Sequence, residues 1–369
     1  MNARVSYVDF PAQHKSMRAE VRRAVDRVLT RGNFILGEEV EAFEKRFAAL
    51  CGVQHAIGVA NGTDALILAF KALGIGAGDE VITAPNSFIA SASSIALAGA
   101  RPVFADVGPD LNIDPERIER AITPKTRAIL PVHLTGRVAD MDPILKIAER
   151  RRLYVIEDAA QSVGSLYRNR PSGSFGVMGC FSLHPLKNLN AAGDAGAITT
   201  NDGALCEKMK LLRNHGLRTR DEVAVWGLNS RLDTLQAAVL NCRLAHLDKT
   251  IRRRRQIAAR YRRALSNVVE CPAEAPHEFH TWHLFVIQCD RRDELQAHLA
   301  RHGIESKIHY PIPLHLQPCS LALGYHKGDF PVCERLAGRI LSIPVHQYLT
   351  NAQVDSVCKA IRQFYKRKA

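Results

Sequence analysis

The chain has 369 residues and a mass of 40.8 kDa, more than one hydrophobic core of ~250 to 300 residues comfortably serves, so two lobes are expected. A 46% hydrophobic and 24% charged composition with a mean hydropathy of -0.12 excludes disorder. No run approaches the ~18 consecutive apolar residues of a membrane helix, and the first thirty residues hold no leader-like apolar stretch. Nine cysteines lie scattered without metal or redox spacing, as expected of core thiols in a cytoplasmic protein with no metal site.

Lys and Arg outnumber Asp and Glu by 50 to 37, a net charge of +13 that favours an anionic partner. Nucleic acid and a phosphorylated small molecule both qualify. The densest basic stretch, Arg252 to Arg255 with Arg260, Arg262 and Arg263, is interrupted by Ile251, Ile257, Ala258, Tyr261 and Leu265. That spacing reads as the solvated face of a long helix. Aromatic residues are only 6% of the chain, and no DNA- or RNA-reading motif is present, so nucleic acid is not expected as a partner.

From about residue 56 to 215, short apolar runs alternate with amphipathic stretches, the pattern of an α/β domain whose sheet carries helices on both faces. Strands are expected at Ala56–Ala60, Glu80–Ala84, Pro102–Val107, Ala128–His133, Leu153–Ile156, Gly179–Leu183 and Ala195–Thr199. Residues 231–265 contain no Pro or Gly and read as one long helix, which links a large domain over 1–248 to a smaller α+β domain over 249–369. In the smaller domain a strand is expected at Trp282–Gln288, a helix at Arg292–His302, Pro-rich loops at Tyr310–Pro318 and a last helix at Asn351–Tyr365.

Three elements carry chemistry. Ala60-Asn61-Gly62-Thr63-Asp64 sets a Gly-Thr turn between a strand and a helix, where free N–H groups and the helix dipole can seat a phosphate; ordinary helix capping is the plainer alternative. Val155-Ile156-Glu157-Asp158-Ala159-Ala160-Gln161 places an acid and an amide at the carboxyl end of a strand, where α/β proteins bind ligands, although a lone acid there also serves as a helix cap. Phe181-Ser182-Leu183-His184-Pro185-Leu186-Lys187 puts one lysine after another strand, 29 residues beyond Asp158. Burial beside a sheet end would lower its pKa and make it nucleophilic. Pyridoxal phosphate needs this set: donors for its phosphate, a carboxylate for its ring nitrogen and a lysine for its aldehyde. Phe88, at the end of a further strand, can cover the ring.

These residues resemble the DegT/StrS pyridoxal-phosphate sugar aminotransferases of the fold type I aspartate aminotransferase superfamily. The resemblance extends over nearly the whole chain, through Gly32-Asn33-Phe34-Ile35-Leu36-Gly37, Asn61-Gly62-Thr63, Pro131-Val132-His133-Leu134, Glu157 to Gln161, Ser182 to Lys187, Asn229-Ser230-Arg231-Leu232 and His309-Tyr310-Pro311-Ile312-Pro313. It implies a large domain with a mainly parallel seven-stranded sheet and a smaller C-terminal domain. It further implies that Lys187 forms the Schiff base and shuttles the proton. Asp158 would pair with the ring nitrogen, Gln161 would sit near the ring hydroxyl, and Phe88 would stack on the ring. Gly62, Thr63 and Ser182 would hold the phosphate, His309 and Tyr310 would meet the substrate, and Asn229 would reach the neighbouring subunit's cofactor in a homodimer with shared sites. Ala195, Leu228 and Thr135 depart from the family's usual residues.

The implied reaction moves the amine of L-glutamate to a keto group of a nucleotide-linked sugar. Asn229-Ser230-Arg231-Leu232-Asp233 looks more like members acting on 3-keto than on 4-keto sugars. The alternatives are a related dehydratase, which lacks the lysine, and a non-enzymatic cofactor-binding regulator.

Overall fold

The computed structural model describes residues 4–366. Seven short strands are nearly continuous in apolar side chains, as strands covered on both faces must be. They are β1 (His55–Val59), β2 (Glu80–Thr83), β3 (Arg101–Phe104), β4 (Thr126–Leu130), β5 (Tyr154–Asp158), β6 (Met178–Ser182) and β7 (Gly196–Thr200). They form one sheet in the order β1-β7-β6-β5-β4-β2-β3. Only β7 runs antiparallel to its neighbours, pairing with β1 and β6; the other pairings are parallel.

Every strand expected from the sequence is present, with shifted ends that have local causes. The run expected to reach His133 stops at Leu130 because Pro131 has no N–H to continue the ladder, and Val132 keeps one isolated bridge to Asp158. The run expected to reach Val107 stops at Phe104, and Val107 instead bridges Ile113 across a tight turn.

The expected single helix over 231–265 is corrected to two, Thr234–Leu244 and Leu247–Leu265. His246 leaves the helical region at φ -111°, ψ 5°. The first helix buries Ala237, Ala238 and Leu240 in the large domain, whereas the second buries Ile251, Ile257, Tyr261 and Leu265, most of them in the core of the small domain. Two cores in different directions bend a segment that contains no helix breaker.

The basic run is likewise more than a solvated face. Arg254 stands three residues after Ile251 and three before Ile257, on the inner stripe, and is 6% exposed. Its Nη1 donates to the carbonyls of Trp282 (3.1 Å) and His283 (3.2 Å). Arg255 binds Glu274 and the His280 carbonyl, and Arg260 pairs with Asp355. The run therefore clips the small domain together.

That domain pairs β8 (Phe285–Gln288) antiparallel to β9 (Ile340–Ile343) and packs helices Arg292–Arg301 and Asn351–Lys366. β8 starts three residues later than expected because Trp282 takes a left-handed φ of 52° and stacks on His280 instead of extending. Val5 joins the core of this domain, its backbone bonding to residues 303 and 305. Among the described residues no helix is long and apolar enough to cross a membrane.

Candidate active site

A cavity of about 530 Å³ opens at the carboxyl ends of the strands, where the small domain closes one wall. Gly62, Thr63, Phe88, Asp158, Gln161, Ser182, Lys187, His309 and Tyr310 all line it. Asn229 does not; it is exposed and bridges Asn214 instead.

Helix Gly62–Ala72 begins directly after β1, and the Asn61 side chain caps it by accepting from the Asp64 N–H at 2.8 Å. The N–H groups of Gly62 and Thr63 have no intrahelical acceptor and lie at the positive end of the dipole. A Cβ at Gly62 would stand 2.7 Å from Ser182 Cβ and 3.0 Å from its Cα. Only glycine lets the last residue of β6 close against this helix start. The result is a seat of backbone N–H groups and two hydroxyls that suits a phosphate.

Asp158 ends β5 on the cavity side. Its Oδ2 accepts from Ser91 Oγ at 2.6 Å and its Oδ1 from the Ala160 N–H at 3.2 Å. No helix follows Asp158, so the helix-cap alternative has nothing to cap. Burial raises its pKa above the usual carboxylate value, opposed by these hydrogen bonds and by the charge of Lys187.

Lys187 lies in the turn after β6, its own N–H bound to the His184 carbonyl at 2.8 Å. The flanks of that turn are pinned: Asn188 Nδ2 donates to the Thr281 carbonyl at 3.0 Å, and Gln13 Nε2 to Asn190 Oδ1 at 2.8 Å. Burial pulls the lysine pKa down to about 8, with the charge of Asp158 opposing. The amine is thus partly neutral near neutral pH, as a nucleophile requires.

Two further histidines flank the amine. Burial, then the charge of Lys187, pushes His283 far below its ordinary pKa and His309 down to about 4. Both are neutral imidazoles, and His309 Nδ1 lies 2.9 Å from Ser342 Oγ. Gln161 Oε1 accepts from the Thr135 N–H at 2.7 Å, while Gln161 Nε2 faces the Tyr310 hydroxyl at 3.4 Å. Phe88 is 55% exposed into the cavity mouth, its ring centroid 6.1 Å from that of Tyr310.

Sequence reasoning left Ser91, His184, Asp194 and His283 without a role. His184 stands three residues before Lys187 and Asp194 seven after it, so nearness to the lysine along the chain is the signal that marks them. Ser91 lies three residues after Phe88, in the first turn of helix Ile89–Leu97, and its meeting with Asp158 joins that helix to the end of β5, 67 residues further along the chain. His283 arrives from the other domain. Among the described residues no group of three His, Cys, Asp or Glu could hold a metal.

A mainly parallel seven-stranded sheet, a lysine after one strand, an acid ending the next and a small domain over the cleft define a fold type I aminotransferase. The model of the DegT/DnrJ/EryC1/StrS aminotransferase family matches residues 15–362, and the chain belongs to that family. It is 44% identical to the dTDP-3-amino-3,4,6-trideoxy-alpha-D-glucose transaminase of Streptomyces venezuelae, over 99% of this chain and 97% of that one. It is also 44% identical to the pleiotropic regulatory protein of Geobacillus stearothermophilus, over 99% of this chain and 100% of that one. The crystal structure of S. venezuelae DesV in complex with a ketimine intermediate matches with a TM-score of 0.97 at 44% identity, covering 99% of this chain and 100% of that chain.

The family and its solved relatives imply pyridoxal phosphate. The residues present fit it: the Gly62 close approach leaves an anion seat beside Ser182, and a buried carboxylate and a depressed lysine share the same cavity.

Proposed function

We propose that the protein transfers the amino group of L-glutamate to the 3-keto group of a nucleotide-linked sugar, as a cytoplasmic homodimer with shared active sites. The observation that carries this reading is the pairing of Lys187, its pKa near 8, with Asp158 in one cavity wall. The name of the S. venezuelae relative, a transaminase of a dTDP-linked 3-amino sugar, supports the sugar and the position, as does the Asn229 to Asp233 segment.

Bound here, pyridoxal phosphate would supply a carbonyl carbon for the migrating amine and a ring that withdraws electrons. Gly62, Thr63 and Ser182 would hold its phosphate, Asp158 its protonated ring nitrogen and Phe88 one ring face. Lys187 would take up and return the proton at the substrate carbon. His309 and Tyr310 would orient the sugar. The exposed Asn229, outside its own chain's cavity, suits a contact with the neighbouring subunit's site. The dehydratase alternative requires the lysine to be missing. A cofactor-binding regulator would use Lys187 and Asp158 to hold the cofactor as well, and turnover in the half-reactions below separates it from an enzyme.

The test is an absorbance-monitored pair of half-reactions, glutamate against the yellow form and a panel of 3- and 4-keto nucleotide sugars against the colourless form. Turnover of a 3-keto sugar is the expected outcome; conversion of 4-keto sugars only would overturn the positional assignment. Mixing inactive Lys187→Ala and Asn229→Ala subunits should restore some activity, since a heterodimer assembles one site free of both changes. No recovery after verified exchange, with Asn229→Ala itself strongly impaired, counts against the shared site.

A further inference from the structure

Gln161 projects from a turn, with neither helix nor strand to set its amide. Its two amide ends are alike in size, so its hydrogen-bond partners decide which faces the cofactor. The deciding partner stands outside the cavity. The Thr135 N–H fills Gln161 Oε1 at 2.7 Å, which leaves Nε2 and its two protons on the side of Tyr310.

Thr135 delivers that N–H from a left-handed conformation, φ 64°, a costly place for a β-branched residue. The turn is held from the other domain. Leu284 N–H donates to the Thr135 carbonyl at 3.1 Å and Thr281 N–H to the Gly136 carbonyl at 3.2 Å. A Cβ on Gly136, itself at φ 95°, would stand 2.9 Å from His283 N and from Thr281 Oγ1, so glycine is required for the two segments to meet. His280 completes the clamp, its Nε2 3.3 Å from Thr135 Oγ1.

The direction of that last bond is fixed. His280 Nδ1 accepts the Trp282 N–H at 2.8 Å. Burial, with Arg137, Arg255 and Arg262 nearby, keeps the imidazole neutral. Its single proton is therefore on Nε2 and is donated to Thr135. The ring is locked by stacking on Trp282 at 3.8 Å and 4°.

We propose that His280 and Thr135 are positioning residues of the transamination site, holding the Thr135 N–H on Gln161 so that its amide offers N–H donors to the ring oxygen of the cofactor. The inference rests on the proposed placement of Gln161 beside that oxygen. Its consequence is electrostatic: N–H donation stabilises negative charge on the ring oxygen, so the lysine-bound chromophore loses its proton at lower pH, and misorienting the amide moves that transition upward.

The experiment is a spectrophotometric pH titration of the cofactor-loaded protein, beside its Gln161→Leu, Thr135→Val, Thr135→Ser and His280→Phe variants, each checked by thermal melting. Thr135→Val keeps the backbone N–H but loses the hydroxyl that His280 binds; His280→Phe keeps an aromatic ring for the stack but loses the Nε2 donor and, with it, the Nδ1 acceptor of the Trp282 N–H. Both should move the transition upward by about 0.5 pH unit or more, in the direction of Gln161→Leu, and Thr135→Ser should return it to the wild-type value. If either variant fails to fold, the other carries the comparison. A transition unmoved in the folded variants while Gln161→Leu shifts it overturns the positioning role alone. No shift in Gln161→Leu overturns the placement of Gln161 and the proposal with it, whereas a wild-type protein without a lysine-bound chromophore removes the aminotransferase reading itself.

Discussion

Glu157 and Asp158 are consecutive residues of β5 and, because strand side chains alternate, serve opposite faces of one sheet. On the rear face Glu157 is saturated. It accepts the N–H groups of Gly173 (2.6 Å), Phe175 (2.6 Å) and Gly176 (2.8 Å), and lies 2.9 Å from His133 Nε2. His133 Nδ1 already accepts the Ala139 N–H, so its proton points to Glu157. On the front face Asp158 has two donors, a hydroxyl and one N–H, and shares its cavity with a lysine. A carboxylate with every lone pair spent holds a loop in place. One with lone pairs left over can hold a ligand cation.

The largest effect should fall on the front face. Lys187→Ala should abolish the covalent chromophore and cost on the order of a thousandfold or more in transamination, with melting unchanged; a variant that still converts glutamate would sink the assignment. Asp158→Asn should retain cofactor but lose on the order of 3 kcal/mol of transition-state stabilisation, about a hundredfold in the single-turnover rate with glutamate. A loss under about threefold would place Asp158 with Glu157 as a structural acid.

Glu157→Gln should show the reverse pattern. Replacing a buried carboxylate that meets four donors leaves an amide N–H facing another donor, at a cost of about 2 to 3 kcal/mol in unfolding free energy. Chemical denaturation measures it, and a rate loss larger than the stability loss would erase the distinction between the faces. Ser91→Ala removes one of the two donors on Asp158 and should cost about 1 kcal/mol in the same single-turnover rate, roughly fivefold.

The smallest effect is on titration. Lys187 without cofactor should react with an amine-directed reagent at a rate that rises with pH through about 8, since only the neutral amine attacks and its pKa is pulled down to about 8. The negative charge of Asp158 raises that pKa, so Asp158→Asn should move the midpoint lower still. A midpoint near the ordinary lysine value of about 10.4 would show the amine to be solvated rather than buried.

Much of this architecture is legible in local pattern. Apolar runs bounded by turn residues give all seven strands of the large sheet, because a strand covered on both faces has little polar sequence to confuse it with a loop. The order of motifs along the chain likewise foretells that Gly62, Asp158 and Lys187 line one cavity, since each stands at or just beyond a strand end and a sheet brings its strand ends together. Relations between segments far apart are not written locally. The break at His246 arises because two cores pull one breaker-free segment in different directions, and the burial of Arg254 follows from its register on a helix whose inner face is known only once the small domain is packed. Ser91 on Asp158 and His280 on Thr135 join residues 67 and 145 positions apart. Periodicity reports which face of an element is apolar, and it carries no information about which polar group will stand opposite a given side chain after the chain has folded back on itself.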